Sequence, residues 1–407
     1  MILGVLFGFL ARFLFPGTIT DGLCTYVLGP VKTIFMNSLK IIIGPIVFLS
    51  IVTCFSQFKS IEELGRIGIK VMGMYLLTTI FAIILGIGSF AIFQPGSWGF
   101  VLRGELATTA VSLDVSDVDI SLLNTIINIV PSNFVQPFVA SDTLQLIFLA
   151  VICGVSLGKI KDYSEVLQEL FEALYSLFMT MTNIFIKVMP LAIFASMAIM
   201  IVDIGAQSLI YILQVMGLFI LAIVAMLCIY GVLVMLLGKS NPITFFRNVR
   251  ESMLTSFILS SSSAAMPTTL RTCTDKLGIS PKICNFSIPL GATVNMDGNC
   301  IFYAIMGLFL ARAYGVAVPM SSMFSFSVTI MLLSFATPGV PGAGIIMLAT
   351  VLKSISVPVE AVGLLMGMFS LMGMIQTMCN TTGDVAISLI VAKTENLLDQ
   401  DLYNRTT

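Results

Sequence analysis

The sequence predicts an all-α polytopic membrane protein in which some segments enter and leave the bilayer on one side. Composition is the first observation: of 407 residues, 57% are hydrophobic and 10% charged, and the mean hydropathy is +1.05. Soluble domains carry about 25% charged residues. This chain holds more apolar side chain than a core of its length can bury, and a bilayer is the solvent that accepts the surplus. The second observation is a recurrence of charge-free stretches between short charged clusters. The third is that Ser, Pro and Gly interrupt two of the later stretches in their middle.

The same composition excludes several functions. Twenty basic and 21 acidic residues leave a net charge of -1, with no basic face for nucleic acid. Histidine is absent, which removes Ser-His and Cys-His catalytic pairs and His-ligated metals. The eight cysteines are scattered without a CxxC pair and read as small buried hydrophobes. No basic n-region precedes the first apolar run, so no secretory signal peptide is expected.

Taken in order, residues 1–15 are shorter than the about 20 of a span and read as a first helix whose usual start lies outside this chain. Spans are expected at about 33–58, 71–93, 120–158, 173–202 and 204–238. The intervening loops carry Lys59, Arg66 and Lys70 with Glu62 and Glu63, then Lys159 and Lys161, then Lys239, Arg247 and Arg250, then Arg271, Lys276 and Lys282. The loop at 94–119 has Arg103 alone beside Glu105, Asp114, Asp117 and Asp119. The positive-inside rule puts the four basic loops in the cytoplasm and 94–119 outside. Lys40 and Lys187 fall within spans and are expected to snorkel to an interface.

The last third breaks the pattern. Residues 252–270 are uncharged and long enough for one span, yet SSSS (260–263) and Pro267 lie in the middle. Basic residues flank both ends, so a re-entrant hairpin keeps both inside where a single crossing cannot. Residues 313–352 are uncharged around TPGVPGAG (337–344), and two full spans or two half-helices meeting at a tip both fit. Irregular backbone at that depth is tolerated where protein or a water-filled cavity covers it.

Each broken segment is followed by an apolar helix with a lone acid. Asp297, in IPLGATVNMDGN, is the only charge from 283 to 311, and Asp384, in MIQTMCNTTGD, the only one from 361 to 392. A helix interrupted by Asn and Asp is thus expected twice, a pairing that points to a transporter's midplane site. An ionised carboxylate in hydrocarbon costs several kcal/mol, so each acid needs a cation or a cavity. NMDG and NTTGD offer carboxylate, amide, hydroxyl and backbone oxygens, the ligands of hard cations. An alkali cation such as Na⁺ is the reading left, with protons on the acids second. The serine run and the PGVPG turn provide half-helix N-termini suited to an anionic group.

At SSSSAAMP, PLGATVNMDG, TPGVPGAG and NTTGDVAISLIVAKTE the sequence resembles the dicarboxylate/amino acid:cation symporter family, from about residue 26 to 395. The resemblance implies eight transmembrane helices, two re-entrant hairpins, a homotrimer in the cell membrane, and an elevator-type, inverted-repeat carrier. Scaffold helices would lie at 1–58 and 119–202. The transport domain would take 64–93, 204–238 and 243–400, the last holding hairpin 1, helix 7, hairpin 2 and helix 8.

The resemblance also implies up to three Na⁺ sites and no other cofactor. One matches Gly291, Asn295, Asn380 and Asp384. A second matches Thr293, Ser334, Phe335 and Thr337, and a third Tyr75, Thr78 and Thr79 with Asn295 and Asp297. The groups implied for the substrate's main carboxylate are Ser261, Ser262, Val340, Gly342, Thr377 and Asn380, with Gly344 a further substrate-binding position. Members that carry acidic amino acids have an Asp for the ammonium and an Arg for the second carboxylate. Here those positions are Gly373 and Gln376, and a position that is Thr in many relatives is Asn299. The expected substrate is therefore a small monocarboxylate whose hydroxyl or amide Gln376 and Asn299 read. Three Na⁺, two aspartates and a substrate of charge -1 would leave the loaded core neutral, which keeps crossing cheap.

Two other classes fit worse. An intramembrane Ser-Lys hydrolase would need Lys40 or Lys187 beside a serine, and no Gly-x-Ser-x-Gly elbow accompanies either. A passive anion pore would need no ion gradient.

Overall fold

The computed structural model describes residues 2–14, 17–56, 66–95, 130–140, 143–160, 164–203, 207–335, 337 and 343–404. Among them the chain is helical almost throughout, with one isolated bridge between Ile279 and Leu398. Most of the loop expected at 94–119 lies outside the described residues. So do Lys59, Glu62, Glu63, Lys161, Val340, Gly342, the start of the 120–158 stretch and the Lys40 side chain.

Helices α1 (Ile2–Leu14) and α2 (Gly17–Leu23) lead through a wide turn, Cys24–Leu28, into α3 (Gly29–Ser56). Then come α4 (Arg66–Phe93), α5 (Gln136–Ala140), α6 (Thr143–Lys159) and α7 (Ser164–Asp203). The span expected at 173–202 is only part of α7, a single helix of 40 residues. Pro190 sits inside it without ending it. At its C-terminus the free carbonyls of Ile201 and Val202 take hydrogen bonds from Arg12 Nη1 at 3.1 and 3.2 Å. Helix α8 (Gln207–Leu236) completes the first half.

The second half holds α9 (Pro242–Leu259), α10 (Ser262–Asp275), α11 (Pro281–Val294), α12 (Asp297–Ala313), α13 (Met320–Phe335) and α14 (Ala343–Ser354). A 3₁₀ turn, Val359–Leu364, then leads to α15 (Met366–Thr394) and α16 (Gln400–Asn404). Helices α9 and α10 form a helical hairpin. Ser260 adopts φ 49°, which stops α9, and the Ser261 side chain accepts from Ala264 N to start α10. The arms run antiparallel: Ser252 Oγ meets Thr269 Oγ1 at 2.7 Å, and Glu251 binds Arg271 and Lys276 at 2.7 and 2.6 Å. Helices α13 and α14 pack on each other. At 16 and 12 residues they are about 24 and 18 Å long, short of a 30 Å hydrocarbon core. Each is therefore shorter than a full span by length alone.

Asn295 (φ -91°, ψ 80°) and Met296 (φ -110°, ψ 50°) leave helical geometry and separate α11 from α12. The matching interruption expected in NTTGD is absent, because α15 runs unbroken through Asn380 and Asp384. Thr377, Thr382 and Ser388 donate to the carbonyls of Gly373, Met378 and Asp384, each four residues back, at 2.8, 2.7 and 2.6 Å. Hydroxyls satisfied this way ride on an intact helix.

Two packing groups result: α1, α3, α6 and α7 pack together, and α4 and α8–α15 pack together. They meet where α13, α14, the 3₁₀ turn and α15 touch α3, α6 and α7. Helix α12 is the centre of the second group, buried along its length except at Arg312.

Three of the four basic clusters gather at one end. Arg66 and Lys70 both bind Glu395, Asn248 Nδ2 donates to the carbonyls of Lys276 and Tyr403, and Ser280 N donates to Leu397 O. Arg312 lies with residues 90–95, its guanidinium over the Phe90 ring and bonded to Pro95 O. Sorting basic clusters to one end is what the positive-inside reading requires.

Candidate functional site

The break at Asn295–Met296 organises the site. Asn295 N and Met296 N still bond the carbonyls of Gly291 and Val294 at 2.9 and 3.2 Å, while the first amides of α12 are left without in-helix partners in a buried setting. Side chains from α4, α8 and α15 converge on it.

Tyr75, Thr78 and Thr79 are buried on one face of α4 at i, i+3 and i+4. Thr78 Oγ1 donates to Asn295 Oδ1 at 3.2 Å, and Thr79 Oγ1 to Asp297 Oδ1 at 3.1 Å. Tyr75 OH donates to Ser287 O at 2.8 Å. From α15, Asp384 Oδ1 accepts from Asn295 Nδ2 at 2.9 Å, and Asn380 Oδ1 accepts from Gly298 N at 2.8 Å. Asp297 and Asp384 are 0% and 1% exposed, so both carboxylates must be met by protein dipoles or a cation. Gly291 makes room for this approach: a Cβ there would lie 2.3 Å from Asp384 Oδ1 and 2.6 Å from Tyr75 OH. Two of the three expected cation sets are thus brought together.

The third set is assembled in part. Ser334, Phe335 and Thr337 are buried at the end of α13, which packs against α11. Thr293 is half-buried and donates to Leu290 O at 2.9 Å. Among the described residues no hydrogen bond joins Thr293 to Ser334 or Thr337.

The described members of the expected substrate set lie on α10, α12, α14 and α15. Ser261 and Ser262 are buried at the N-terminus of α10, which packs on α15. Gly344, in the first turn of α14, approaches the pocket closely: its Cβ would lie 3.4 Å from Gln376 Oε1 and 3.6 Å from Asn299 Nδ2. Gln376 is 3% exposed, and its Nε2 has no partner among the described residues. One turn earlier, a Cβ at Gly373 would meet nothing among the described residues within 4 Å. A buried donor without a partner is unusual, because an unmet N–H costs about 1–3 kcal/mol.

Sequence reasoning missed two tyrosines. Tyr230 of α8 is fully buried and donates to Asp297 Oδ2 at 2.6 Å. Its approach depends on Gly383, where a Cβ would sit 2.5 Å from the Tyr230 hydroxyl. Tyr303 of α12 takes a hydrogen bond from Asn299 Nδ2 at 3.3 Å. A phenol within a span needs a partner, which flags both residues but names neither acceptor. With Thr79 on one Asp297 oxygen and Tyr230 on the other, the carboxylate is held in one orientation. Tyr230→Phe is expected to raise the Na⁺ concentration for half-maximal thermal stabilisation about tenfold, since a hydrogen bond to a charged group contributes about 1.5–3 kcal/mol. An unchanged Na⁺ titration would refute that role.

Comparison with known proteins gives a consistent picture. Residues 1–394 match the model of the sodium:dicarboxylate symporter family. A C4-dicarboxylate transport protein of Bordetella avium is 28% identical over 368 residues, covering 90% of this chain and 82% of that one. A proton/sodium-glutamate symport protein of Bacillus subtilis is 27% identical over 402 residues, covering 98% and 92%. A proton/glutamate-aspartate symporter of Escherichia coli is also 27% identical, with the same coverage.

Proposed function

Because this chain belongs to the sodium:dicarboxylate symporter family, and so is a multi-pass cell-membrane transporter rather than an enzyme, we propose that it imports a small monocarboxylate together with Na⁺. The observation that carries the cation is the pair of buried carboxylates, Asp297 and Asp384, met at a helix break by the Thr79 hydroxyl and the Asn295 amide. Carboxylate, hydroxyl and amide groups are the oxygen-bearing side chains that suit a hard cation.

The substrate reading rests on Gly373 and Gln376. The relatives named above carry C4-dicarboxylates, glutamate or aspartate. In this chain nothing charged stands at either position to pair an ammonium or a second carboxylate. A hydroxy-monocarboxylate suits these groups: its carboxylate faces the serine N-terminus of α10 with Thr377 and Asn380, and its hydroxyl meets Gln376 Nε2, which has no partner among the described residues. By family likeness the carrier is a homotrimer of eight spans and two hairpins. Its α4 and α8–α15 group would slide against the α1, α3, α6 and α7 group.

Proton coupling is the second reading, favoured by the proton named in two of the relatives. Uptake into proteoliposomes separates the readings. Lactate or 3-hydroxybutyrate is expected to accumulate with an inward Na⁺ gradient and not with a pH gradient alone. Succinate, aspartate and glutamate are expected to compete poorly. Robust Na⁺-driven aspartate uptake would overturn the substrate assignment, and accumulation driven by pH alone would overturn the ion.

A further inference from the structure

Asn299 bridges α15 to the end of the α13 arm through hydrogen bonds that all point one way. Asn380 Nδ2 donates to Asn299 Oδ1 at 2.9 Å, and Asn299 Nδ2 donates to Tyr303 OH at 3.3 Å. Tyr303 OH lies 2.9 Å from Thr337 Oγ1, and Thr337 Oγ1 donates to Leu333 O at 2.7 Å. Since the Thr337 proton goes to Leu333, the Tyr303 proton goes to Thr337. At the other end Asn380 Oδ1 is fixed as an acceptor by Gly298 N at 2.8 Å, so Asn380 presents its N–H groups to Asn299. A flipped Asn299 amide would set donor against donor there. Asn299, Tyr303, Thr337 and Asn380 are all buried, where such chains gain from low dielectric and suffer when broken.

Asn299 and Tyr303 are one turn apart on the same face of α12. An amide there reaches both neighbours with different atoms.

We propose that Asn299 is a positioning residue that couples the cation set around Asn380 and Asp384 to the one around Thr337, so that filling either favours the other. This rests on the cation-site reading above. Thr337 N donates to Ser334 O at 3.1 Å, so holding Thr337 also holds the end of α13 whose oxygens belong to that set. Coupling of this kind is reciprocal by thermodynamic linkage, and a double-mutant cycle measures it directly.

The test heats purified protein over a range of NaCl, with choline chloride keeping ionic strength constant. It reads the Na⁺ concentration for half of the maximal rise in Tm and the steepness of the response. Asn299→Ala and Tyr303→Phe are each expected to raise that concentration about fivefold and flatten the curve. The double variant should do no more than the worse single, because both cut one chain. Where Asn299→Ala does not fold, Asn299→Leu, which keeps the volume, completes the cycle. Single shifts that multiply in the double variant, or a wild-type response in the Asn299 variant, would overturn the coupling. Absence of any Na⁺ response in the wild-type protein would instead overturn the cation-site reading on which it rests.

Discussion

Replacing Asp384 by Asn is expected to abolish Na⁺-dependent stabilisation and Na⁺-driven uptake while leaving the protein folded. The side chain keeps its size and its place on α15, opposite Gly291, so packing is preserved. What disappears is the negative charge, which among the described residues takes one side-chain hydrogen bond, from Asn295. A buried carboxylate met by so little is costly without a cation, and a neutral isostere removes that cost. The variant in choline should therefore melt at or above the wild-type temperature. Adding Na⁺ should raise the wild-type midpoint and leave the variant where it is. A variant that still responds to Na⁺ in the wild-type range would show that Asp384 holds no coupling ion. A variant that melts far below wild type in choline would show that its carboxylate is structural.

The second large effect is a change of cargo. Gln376→Arg is expected to raise succinate uptake relative to 3-hydroxybutyrate about a hundredfold, a shift on the scale of leaving or satisfying a buried charged group. The guanidinium offers a bidentate partner to a second carboxylate. Its charge cancels the extra negative charge of the substrate, so the loaded core stays as neutral as before. Among the described residues space is available, since a Cβ at the adjoining Gly373 would meet nothing there within 4 Å. Adding Gly373→Asp should then admit aspartate by giving its ammonium a partner. Competition uptake in proteoliposomes reads both ratios. An unchanged ratio in a Gln376→Arg protein that keeps its Na⁺-dependent Tm rise would remove Gln376 from the selectivity site.

Much of this was legible in the sequence, for one physical reason. Charge is so scarce that any charge inside an apolar run must be answered for. That scarcity singled out Asp297 and Asp384, assigned the chain to a membrane, and sorted the basic clusters to one side. The serine run likewise announced the α9–α10 turn, because Ser both stops one helix and caps the next. The family motifs extended this to the oxygen sets on α4 and α15.

The sequence by itself determined the class of protein, the segments that break the spanning pattern and the two acids. Only the tertiary structure decided what those acids touch. Tyr230 is 67 residues from Asp297, and no local pattern pairs a phenol on one helix with a carboxylate on another. Nor could local pattern separate NMDG from NTTGD, which both place Asn and Asp beside Gly. The first breaks its helix, because α4 and α15 supply Thr78, Asp384 and Asn380 to meet Asn295 and the Gly298 amide. The second stays helical, because its own neighbours Thr377, Thr382 and Ser388 return their hydroxyls to the helix backbone. A buried helix breaks where surrounding elements satisfy the backbone it releases, and which elements surround it is a property of the packed fold.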